Sequence, residues 1–359
     1  MGVAGIISPW NYPLILTVSP LVEALLAGNP VVLKPSEHTP LTTQLLKTVW
    51  DEATERPELF QPIYGAGEVG SYLVNSLKTD VICFTGSTAV GRKIAQACAP
   101  LFKPVILELG GKDPMIILDD AEIDRTVEAA IWGGLSNAGQ TCISVERIYA
   151  HEKIYPKIVE KLSEEIKNKK SGLGETPVGA ISVDVSLEKI KQQINDAKNN
   201  SEVIEGFADN GWFIPPSLVV NPPSEAKIMQ EETFGPVMTI HPFQSDKEAV
   251  ELANKTGYGL SASIFGKNQR RIKSISRQVH AGVVSINDVL THYGIADLPF
   301  GGMGLSGIGK VHGKEGLRAF SRQKSYMNNR FSLKSEFWWY KRSEKFGQVL
   351  RKWIKWQYS

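Results

Sequence analysis

The residue with the strongest chemical potential in this sequence is Cys142, which ends the tetrapeptide GQTC. A thiolate can attack a carbonyl carbon and hold the product as a covalent intermediate. Free cysteine is also among the most buried residue types and usually packs as a small apolar group. The tetrapeptide alone leaves both interpretations open, so residues elsewhere must separate them.

A second candidate for chemistry is FTGSTAVG, at positions 84–91. It follows a β-branched apolar run, turns at Gly86 and enters a helical pattern at Ser87, the context in which backbone N–H groups bind phosphate. The same residue types also serve as ordinary helix caps. GMGLSG, at positions 302–307, fits G-x-G-x-x-G, but no βαβ unit follows it. GLSGIGK, at 304–310, fits most of a phosphate-binding P-loop, but Val311 stands where Ser or Thr is needed. We interpret both as tight turns.

Composition narrows the functional classes. A chain of 359 residues with moderate charge and a net charge of +2 predicts a soluble globular protein of two domains, and it argues against nucleic acid as a partner. Cys83, Cys98 and Cys142 have no metal-ligand spacing, which predicts free thiols, no metal site and a reducing compartment such as the cytoplasm. We expect no signal peptide. The early apolar run YPLILTVSPLVEALLAG is broken by two prolines and Glu23, which predicts a buried helix rather than a membrane span.

Short apolar runs alternate with helical patterns along the chain. NPVVLKP, VICFTGS and KPVILELGGKDPMIIL predict strands, whereas LTTQLLKTVWDEA, AVGRKIAQACA and IDRTVEAAIWGGLSNAG predict helices. A further unit begins at VERIYAHEKIYPKIVEKLSEEIKNK, a strand followed by a long amphipathic helix. This alternation indicates βαβ units and parallel sheets, hence the α/β fold class.

Six motifs together carry a resemblance to a known family: SPWNYP, VVLKPSEHTP, LELGGK, GQTC, EETFGPV and LPFGGMGLSG. Their order and spacing resemble the aldehyde dehydrogenase superfamily over about residues 2–330. The block FGGMGLSGIGKVHGKEGLRAFSRQKS is most similar to the class 3 and fatty aldehyde dehydrogenase branch. The resemblance implies a Rossmann-type parallel-sheet cofactor domain and an α/β catalytic domain.

The same resemblance implies the catalytic residues. Cys142 matches the family nucleophile, and its thiolate would add to the aldehyde carbonyl. Asn11 matches the side chain that, with the backbone N–H of the cysteine, stabilises the thiohemiacetal oxyanion. Glu108 matches the base that activates water to hydrolyse the thioester left after hydride transfer. The reaction implied is the oxidation of a medium-chain, long-chain or otherwise hydrophobic aldehyde to its carboxylic acid.

Cofactor residues follow from the resemblance as well. Lys34 and Glu37 match the pair at the adenosine ribose, and a carboxylate there should accept the 2′-hydroxyl of NAD and repel the 2′-phosphate of NADP, although NADP stays an alternative. The remaining expected contacts are with the pyrophosphate, the adenine side and the nicotinamide end, and they come from Trp10, Gly65, Gly86, Ser87, Gly91, Glu232 and Phe234.

The resemblance also implies domain limits: a cofactor domain at 1–110, a catalytic domain at 111–308, a return and oligomerisation segment at 309–330, and a tail at 331–359. Family members usually carry leading helices and a protruding strand before the first motif, whereas this sequence begins at MGVAGIISPWNYP. We therefore expect a fragment, a mis-started reading frame or a truncated paralogue. The segment at AFSRQKSYMNN suggests a homodimer.

The tail, FSLKSEFWWYKRSEKFGQVLRKWIKWQYS, has seven basic residues against two acidic ones. Two of the basic residues, Lys341 and Arg342, are adjacent. Phe346, Val349 and Trp353 recur at helical spacing, which predicts an amphipathic helix. It fits peripheral binding to an anionic membrane surface, and equally a docked helix at the substrate entrance or at a subunit interface.

Each residue keeps a plainer interpretation. Glu108 could be a carboxylate at a strand end, Asn11 an Asx-turn residue, Lys34 a solvated strand end and Phe234 part of a loop. Two other functions also stay open. One is a CoA-acylating semialdehyde dehydrogenase, against which a base at Glu108 argues because thiolysis needs no activated water. The other is a truncated non-catalytic paralogue or binding protein.

Overall fold

The computed structural model describes residues 1–331, 334, 336, 339–340 and 344–358. Within them the chain divides into two compact units, Met1–Ser321 and Arg322–Ser359. The first unit holds two large, mostly parallel sheets flanked by helices, so the predicted α/β fold class is confirmed. The boundary between the two units falls inside the return and oligomerisation segment that is predicted at 309–330.

The first sheet forms from the short β-branched runs in the first third of the chain. Its strands are connected by helices, as parallel neighbours require. The strands are β1 (Ala4–Ile7), β2 (Val31–Lys34), β3 (Phe60–Pro62), β4 (Val81–Thr85) and β5 (Val105–Glu108). The helices are α1 (Ile15–Leu26), α2 (Pro40–Ala53), α3 (Gly67–Asn75) and α4 (Thr88–Cys98).

The second sheet is built from the middle of the chain. Its strands and the small pair beside it are β6 (Asp113–Ile117), β7 (Val145–His151), β8 (Lys170–Ser171), β9 (Glu202–Glu205), β10 (Phe207–Ala208), β11 (Ser217–Val220), β12 (Val237–Phe243), β13 (Ser261–Phe265) and β14 (Val283–Ile286). The accompanying helices are α5 (Ile123–Leu135), α6 (Tyr155–Lys167), α7 (Asp184–Asn200), α8 (Lys227–Gln230), α9 (Asp246–Ala253) and α10 (Gln269–Ser276). A last strand and helix of this unit are β15 (Gly307–Ile308) and α11 (Gly313–Ala319).

Strand order sets the position of any ligand site. The first sheet runs β15-β5-β4-β1-β2-β3, and the second runs β14-β13-β6-β7-β12-β11-β9. In the first sheet β1 pairs with β2 on one side and with β4 on the other, in register from Ala4 to Ile7. The direction of winding therefore reverses at β1, and the crevice outside the carboxyl ends of such strands is where α/β folds bind ligands.

Two strands depart from the predicted parallel pattern. β9 pairs antiparallel with β11, and β15 pairs antiparallel with β5 through Gly307 and Glu108. β15 lies in GLSGIGK, which the sequence predicts as a tight turn. Apolar alternation cannot be detected in a strand of two residues, and it is the pairing with β5 that defines β15.

The buried core follows the strands. One cluster packs between the second sheet and its helices, with Ile148, Leu162 and Ile240 fully buried. Another lies around β1, β2 and β4, where Leu33 and Phe60 are fully buried. These cores hold the strand ends in fixed positions, and the functional side chains project from those ends.

The second unit contains the helix α12 (Glu344–Gln357), at the position of the predicted amphipathic segment. Val349, Trp353 and Ile354 are exposed on it. Lys341 and Arg342 of the predicted basic tail lie outside the described residues. Of the helices that the structure describes, none combines the length and apolar character needed to cross a membrane.

Candidate active site

Cys142 is presented by a sharply turned loop that precedes β7. Asn137 and Ala138 have φ angles of 52° and 56°, a left-handed conformation that side chains other than glycine rarely adopt. Gly139 follows with φ of 70°, and a β-carbon there would come 2.0 Å from the carbonyl oxygen of Gly235. The GQTC motif therefore needs its glycine, because the turn passes directly against the neighbouring loop.

Asn11 is fixed to the same loop from the opposite side. Its Nδ2 donates to the carbonyl of Gln140 at 2.9 Å, and its own carbonyl accepts from Asn137 Nδ2 at 2.9 Å. Next to it, the Tyr12 hydroxyl lies 2.9 Å from Thr141 Oγ1. An asparagine amide has two N–H donors, so a second one remains for an oxyanion. Asn11 and Cys142 line one pocket of about 220 Å³.

Glu108 projects from the end of β5 into the same pocket. Its side chain is buried, and both carboxylate oxygens lack a hydrogen-bond partner among the described residues. Burial raises the pKa of Glu108 well above its ordinary value, the positive charge of Lys310 partly opposes this, and Glu23 adds to it. A carboxyl group with a raised pKa and free oxygens suits a general base that takes and releases protons.

The Cys142 thiol is also perturbed. Burial raises its pKa well above the ordinary value, and the negative charges of Glu108, Asp113 and Glu232 raise it further. In this surrounding the thiol is protonated at neutral pH. A positive charge brought next to it would stabilise the thiolate.

Glu232 and Phe234 close the pocket on the side of β12. Glu232 Oε1 accepts the Gly111 N–H at 3.0 Å, and burial together with Glu146 raises the pKa of Glu232 to about 7. Phe234 has φ of 57°, and its ring meets Trp10 edge-on at 5.7 Å between centroids. Both residues line the 220 Å³ pocket, and their role at the nicotinamide end stays a prediction.

A buried ion pair, which sequence reasoning missed, supports this loop. Lys112 Nζ contacts the Glu146 carboxylate and donates to Thr233 Oγ1 at 2.9 Å. Glu146 in turn accepts the backbone N–H groups of Thr233 at 2.8 Å and Phe234 at 2.9 Å. The available signal was the pair of adjacent, oppositely charged residues inside each of the apolar runs GGKDPMIIL and SVERIYA.

A groove of about 540 Å³ opens at the switch point between β1 and β4. Of the predicted cofactor residues, Trp10, Lys34, Glu37 and Gly86 line it. Lys34 Nζ donates to Glu37 Oε2 at 3.0 Å. Burial raises the pKa of Glu37, but hydrogen bonds from the backbone and from Lys34 outweigh that effect and lower it overall. Glu37 is therefore ionised at neutral pH.

The other predicted cofactor residues are distributed differently. Ser87 lines the 220 Å³ pocket and caps α4 by accepting from Val90 N–H at 3.4 Å. Gly91 lies in the first turn of α4 on its buried side, where a β-carbon would lie 2.4 Å from the Leu109 side chain. Gly65 is not among the residues that line the groove, and Gly67 and Gly70 line it instead. The roles proposed for Gly65 and Gly91 stay predictions.

The shape of the combined site fits a nicotinamide dinucleotide. The groove and the 220 Å³ pocket share Pro9, Trp10, Thr85 and Gly86, so the space continues from Glu37 to Cys142. The amino end of α4 faces this junction, where its unpaired N–H groups favour phosphate. Among the residues that the structure describes, no cluster of three or more His, Cys, Asp or Glu side chains is placed to hold a metal ion.

Comparisons with known proteins agree with this geometry. The chain is 38% identical over 345 residues to a 4,4'-diapolycopene aldehyde oxidase from Methylomonas sp, which covers 94% of the chain and 64% of that protein. It is 34% identical over 332 residues to a geranial dehydrogenase from Castellaniella defragrans, which covers 90% of the chain and 69% of the relative. The chain thus spans about two thirds of the length of these curated relatives.

A solved structure, betaine aldehyde dehydrogenase from Staphylococcus aureus in complex with NAD⁺, superposes with a TM-score of 0.88 at 33% identity, over 95% of this chain and 69% of that one. The model of the aldehyde dehydrogenase family matches residues 1–326.

Proposed function

The chain belongs to the aldehyde dehydrogenase family, and from this we propose that it oxidises an aldehyde to a carboxylic acid with NAD as the hydride acceptor. The observation that carries the proposal is the convergence of Cys142, Glu108 and Asn11 on one pocket that continues into the groove beside Glu37. These residues supply a nucleophile, a base and an oxyanion donor in a single space.

In the first stage the Cys142 thiol releases its proton to solvent water, and the thiolate adds to the aldehyde carbonyl, which makes the carbon tetrahedral. The resulting oxyanion is stabilised by the free Nδ2–H of Asn11 and by the backbone N–H of Cys142. Asn11 is well suited to this because its bond to the Gln140 carbonyl holds the amide rigid relative to the cysteine loop. A rigid donor loses little reorganisation energy during the reaction.

Glu108 acts in the second stage, in which water hydrolyses the Cys142 thioester. The ionised carboxylate accepts a proton from water as the water oxygen attacks the thioester carbon. A CoA-acylating enzyme would not need this group, because a thiol replaces water as the attacking species. The buried carboxylate next to Cys142 therefore favours hydrolysis.

When bound, the nicotinamide dinucleotide supplies the hydride acceptor. Glu232 and Phe234 would hold the nicotinamide end, Gly86 and Ser87 the pyrophosphate, and Lys34 and Glu37 the adenosine ribose. The ionised Glu37 carboxylate accepts a ribose hydroxyl and repels a 2′-phosphate, which favours NAD over NADP.

Hydrophobic aldehydes are the substrates we propose. The two curated relatives described above are named for diapolycopene aldehyde and geranial, and the block from Phe300 to Ser325 resembles the fatty aldehyde branch. We further propose that α12 binds the surface of an anionic membrane, because it combines exposed Val349 and Trp353 with Arg351, Lys352 and Lys355. Such binding would place the enzyme where these aldehydes partition. A homodimer is the assembly we propose.

The test follows absorbance of the reduced nicotinamide after purified chain is mixed with NAD and decanal. We expect turnover in the wild type and in Cys98→Ala, a matched control in α4, and loss of turnover in Cys142→Ala. Glu108→Gln should slow steady-state turnover about 10²-fold or more. Activity equal to wild type in Cys142→Ala, or no activity in a folded sample, would refute the enzyme proposal. Turnover that requires CoA would select the acylating alternative.

A further inference from the structure

A series of three side chains with hydroxyl and imidazole groups lies near Glu108, and the mechanism above does not use it. The His312 Nε2 atom lies 2.6 Å from Ser19 Oγ. Burial raises the pKa of the Tyr293 hydroxyl, and the hydroxyl lies near enough to the same Ser19 side chain for Ser19 to lower that pKa by a smaller amount. The Tyr293 and His312 rings pack edge to face at 4.8 Å between centroids. Three side chains from three separate segments thus lie next to one another.

His312 is held in this position at a conformational cost. Its φ of 66° is one that residues other than glycine rarely adopt. The backbone N–H of His312 donates to the buried Glu23 carboxylate. A residue is kept in such a conformation only when its surroundings fix it, and here both Glu23 and Ser19 do so.

A small cavity lies between these three side chains and Glu108. It has about 10 Å³ of space for the centre of a water-sized sphere, which is about the room that one water molecule needs. Glu108, Cys142 and Tyr293 line it together. The unpartnered carboxylate oxygens of Glu108 offer two acceptors to a water molecule in the cavity.

We propose that Tyr293, Ser19 and His312 form a proton relay that carries the proton taken up by Glu108 away from the pocket. This inference rests on the proposed function. Each proton in this proposal has a donor and an acceptor. Glu108 receives a proton from the hydrolytic water as the C–O bond forms and the thioester C–S bond breaks. It passes a proton through the cavity water to the Tyr293 oxygen, Tyr293 passes its own to Ser19, and Ser19 passes its own to His312 Nε2.

The relay begins with an unprotonated acceptor. Burial lowers the pKa of His312, so the imidazole is neutral at pH 7 and can accept a proton. The Glu23 carboxyl, whose pKa burial raises to about 7, accepts the backbone N–H of His312. Lys310 faces Glu108 from the other side and favours return of Glu108 to its ionised form. Ser19 is only half-buried, so solvent can take the proton from this region.

The relay is tested on hydrolysis of the acyl-enzyme alone. A nitrophenyl ester such as p-nitrophenyl acetate acylates a thiolate without a nicotinamide cofactor, so release of nitrophenolate reports acylation of Cys142. The later loss of the acyl group, followed by intact-protein mass spectrometry, reports deacylation. The variants are Ser19→Ala, Tyr293→Phe, which keeps the ring packing, and His312→Asn, which removes the imidazole and keeps a β-carbon at the same backbone position. His280→Asn, at an exposed position, is the matched control.

We expect the three relay variants to be acylated at the wild-type rate and deacylated about tenfold more slowly or worse. The solvent deuterium isotope effect on deacylation should rise. The double variant Ser19→Ala with Glu108→Gln should deacylate no more slowly than Glu108→Gln alone, because both substitutions interrupt the same pathway. Free imidazole should partly restore deacylation in His312→Asn. A merely structural role would produce neither the isotope effect nor the rescue.

Wild-type deacylation in Tyr293→Phe and Ser19→Ala would overturn the relay. A reduced rate that adds fully to the effect of Glu108→Gln would overturn it as well. Failure of the proposed function looks different, since the wild type itself would not be acylated or Cys142→Ala would release nitrophenolate equally fast. Circular dichroism and thermal melting identify any variant that does not fold, and the remaining variants then decide the question.

Discussion

The Glu232 carboxylate lies directly against Gly110, where a β-carbon would come within 2.6 Å of Glu232 Oε2. The next residue, Gly111, donates its N–H to the other oxygen at 3.0 Å. The two glycines of the LELGG motif are therefore needed for contact with a residue of another segment, Glu232. They leave room for a side chain from the loop before β12.

The first prediction concerns Gly110→Ala. The added methyl group should displace Glu232 and weaken NAD binding about tenfold, which corresponds to ~1.4 kcal/mol. Titration calorimetry with NAD measures this directly. Gly179→Ala is the matched control, because a β-carbon there meets nothing within 4 Å. Unchanged NAD affinity in Gly110→Ala would show that Glu232 does not contribute to binding.

A second prediction concerns the reactivity of Cys142. Burial and the neighbouring carboxylates raise the pKa of its thiol, so alkylation by iodoacetamide at pH 7 should be slow and should accelerate as the pH rises. Addition of NAD should increase the rate, because the cationic nicotinamide ring offsets the surrounding negative charge. Peptide mass spectrometry after timed quenching separates Cys142 from the buried Cys83 and Cys98. A rate that NAD does not change would contradict the proposed placement of the ring.

The third prediction follows from the raised pKa of Glu108. An acid whose pKa is higher in the folded than in the unfolded state holds its proton more tightly when folded. The stability of the fold therefore decreases as the pH rises from the unfolded value of about 4.3 toward the folded one. Glu108→Gln should remove this loss and raise the Tm at pH 7 by about 2 °C or more, with no gain at pH 4. The exposed substitution Glu52→Gln is the control, and an equal gain at both pH values would exclude ionisation as the cause.

The buried pair of Lys112 and Glu146 yields a fourth prediction. Glu146→Gln leaves a buried ammonium without its counter-charge and weakens the bonds to the Thr233 and Phe234 N–H groups. We expect a loss of about 3–5 kcal/mol in the free energy of unfolding, measured by urea denaturation. The double variant Lys112→Met with Glu146→Gln should lose less than the single one. A larger loss in the double variant would show that the two charges do not depend on each other.

The fifth prediction addresses α12. Removal of residues 344–359 should abolish co-sedimentation with vesicles that contain phosphatidylserine and leave turnover of a water-soluble aldehyde unchanged. Trp353→Ala should weaken vesicle binding because it removes apolar area from the exposed face. Binding that persists after truncation, or that is equal on purely zwitterionic vesicles, would contradict the lipid assignment.

Local patterns were sufficient for most of the fold. The β-branched runs around Val31–Lys34 and Val81–Thr85 form strands because they fit a buried sheet from both faces, and the helices between them follow from 3.6-residue periodicity. The pairing of Gly307 with Glu108 was not predictable in this way. It joins residues far apart in the chain and depends on tertiary packing rather than on local preference.

The candidate site residues also divide into those that sequence motifs predict and those that depend on tertiary contacts. Cys142, Glu108 and Asn11 lie in recognisable motifs, and they line one pocket. Lys112, Glu146 and His312 could not be assigned from the motifs, because their importance arises from partners on other elements. A charged residue in an apolar run indicates a buried partner, but the sequence does not identify that partner.

The antiparallel contact between β15 and β5 has a consequence for the order of assembly during synthesis. β5 is made early, whereas the strand that covers its edge emerges only after the whole second sheet has left the ribosome. Contacts between such distant segments form slowly because a long loop must close first. Glu108 therefore stays at an open sheet edge in the nascent chain, and the environment that perturbs its acidity is completed among the last steps of folding.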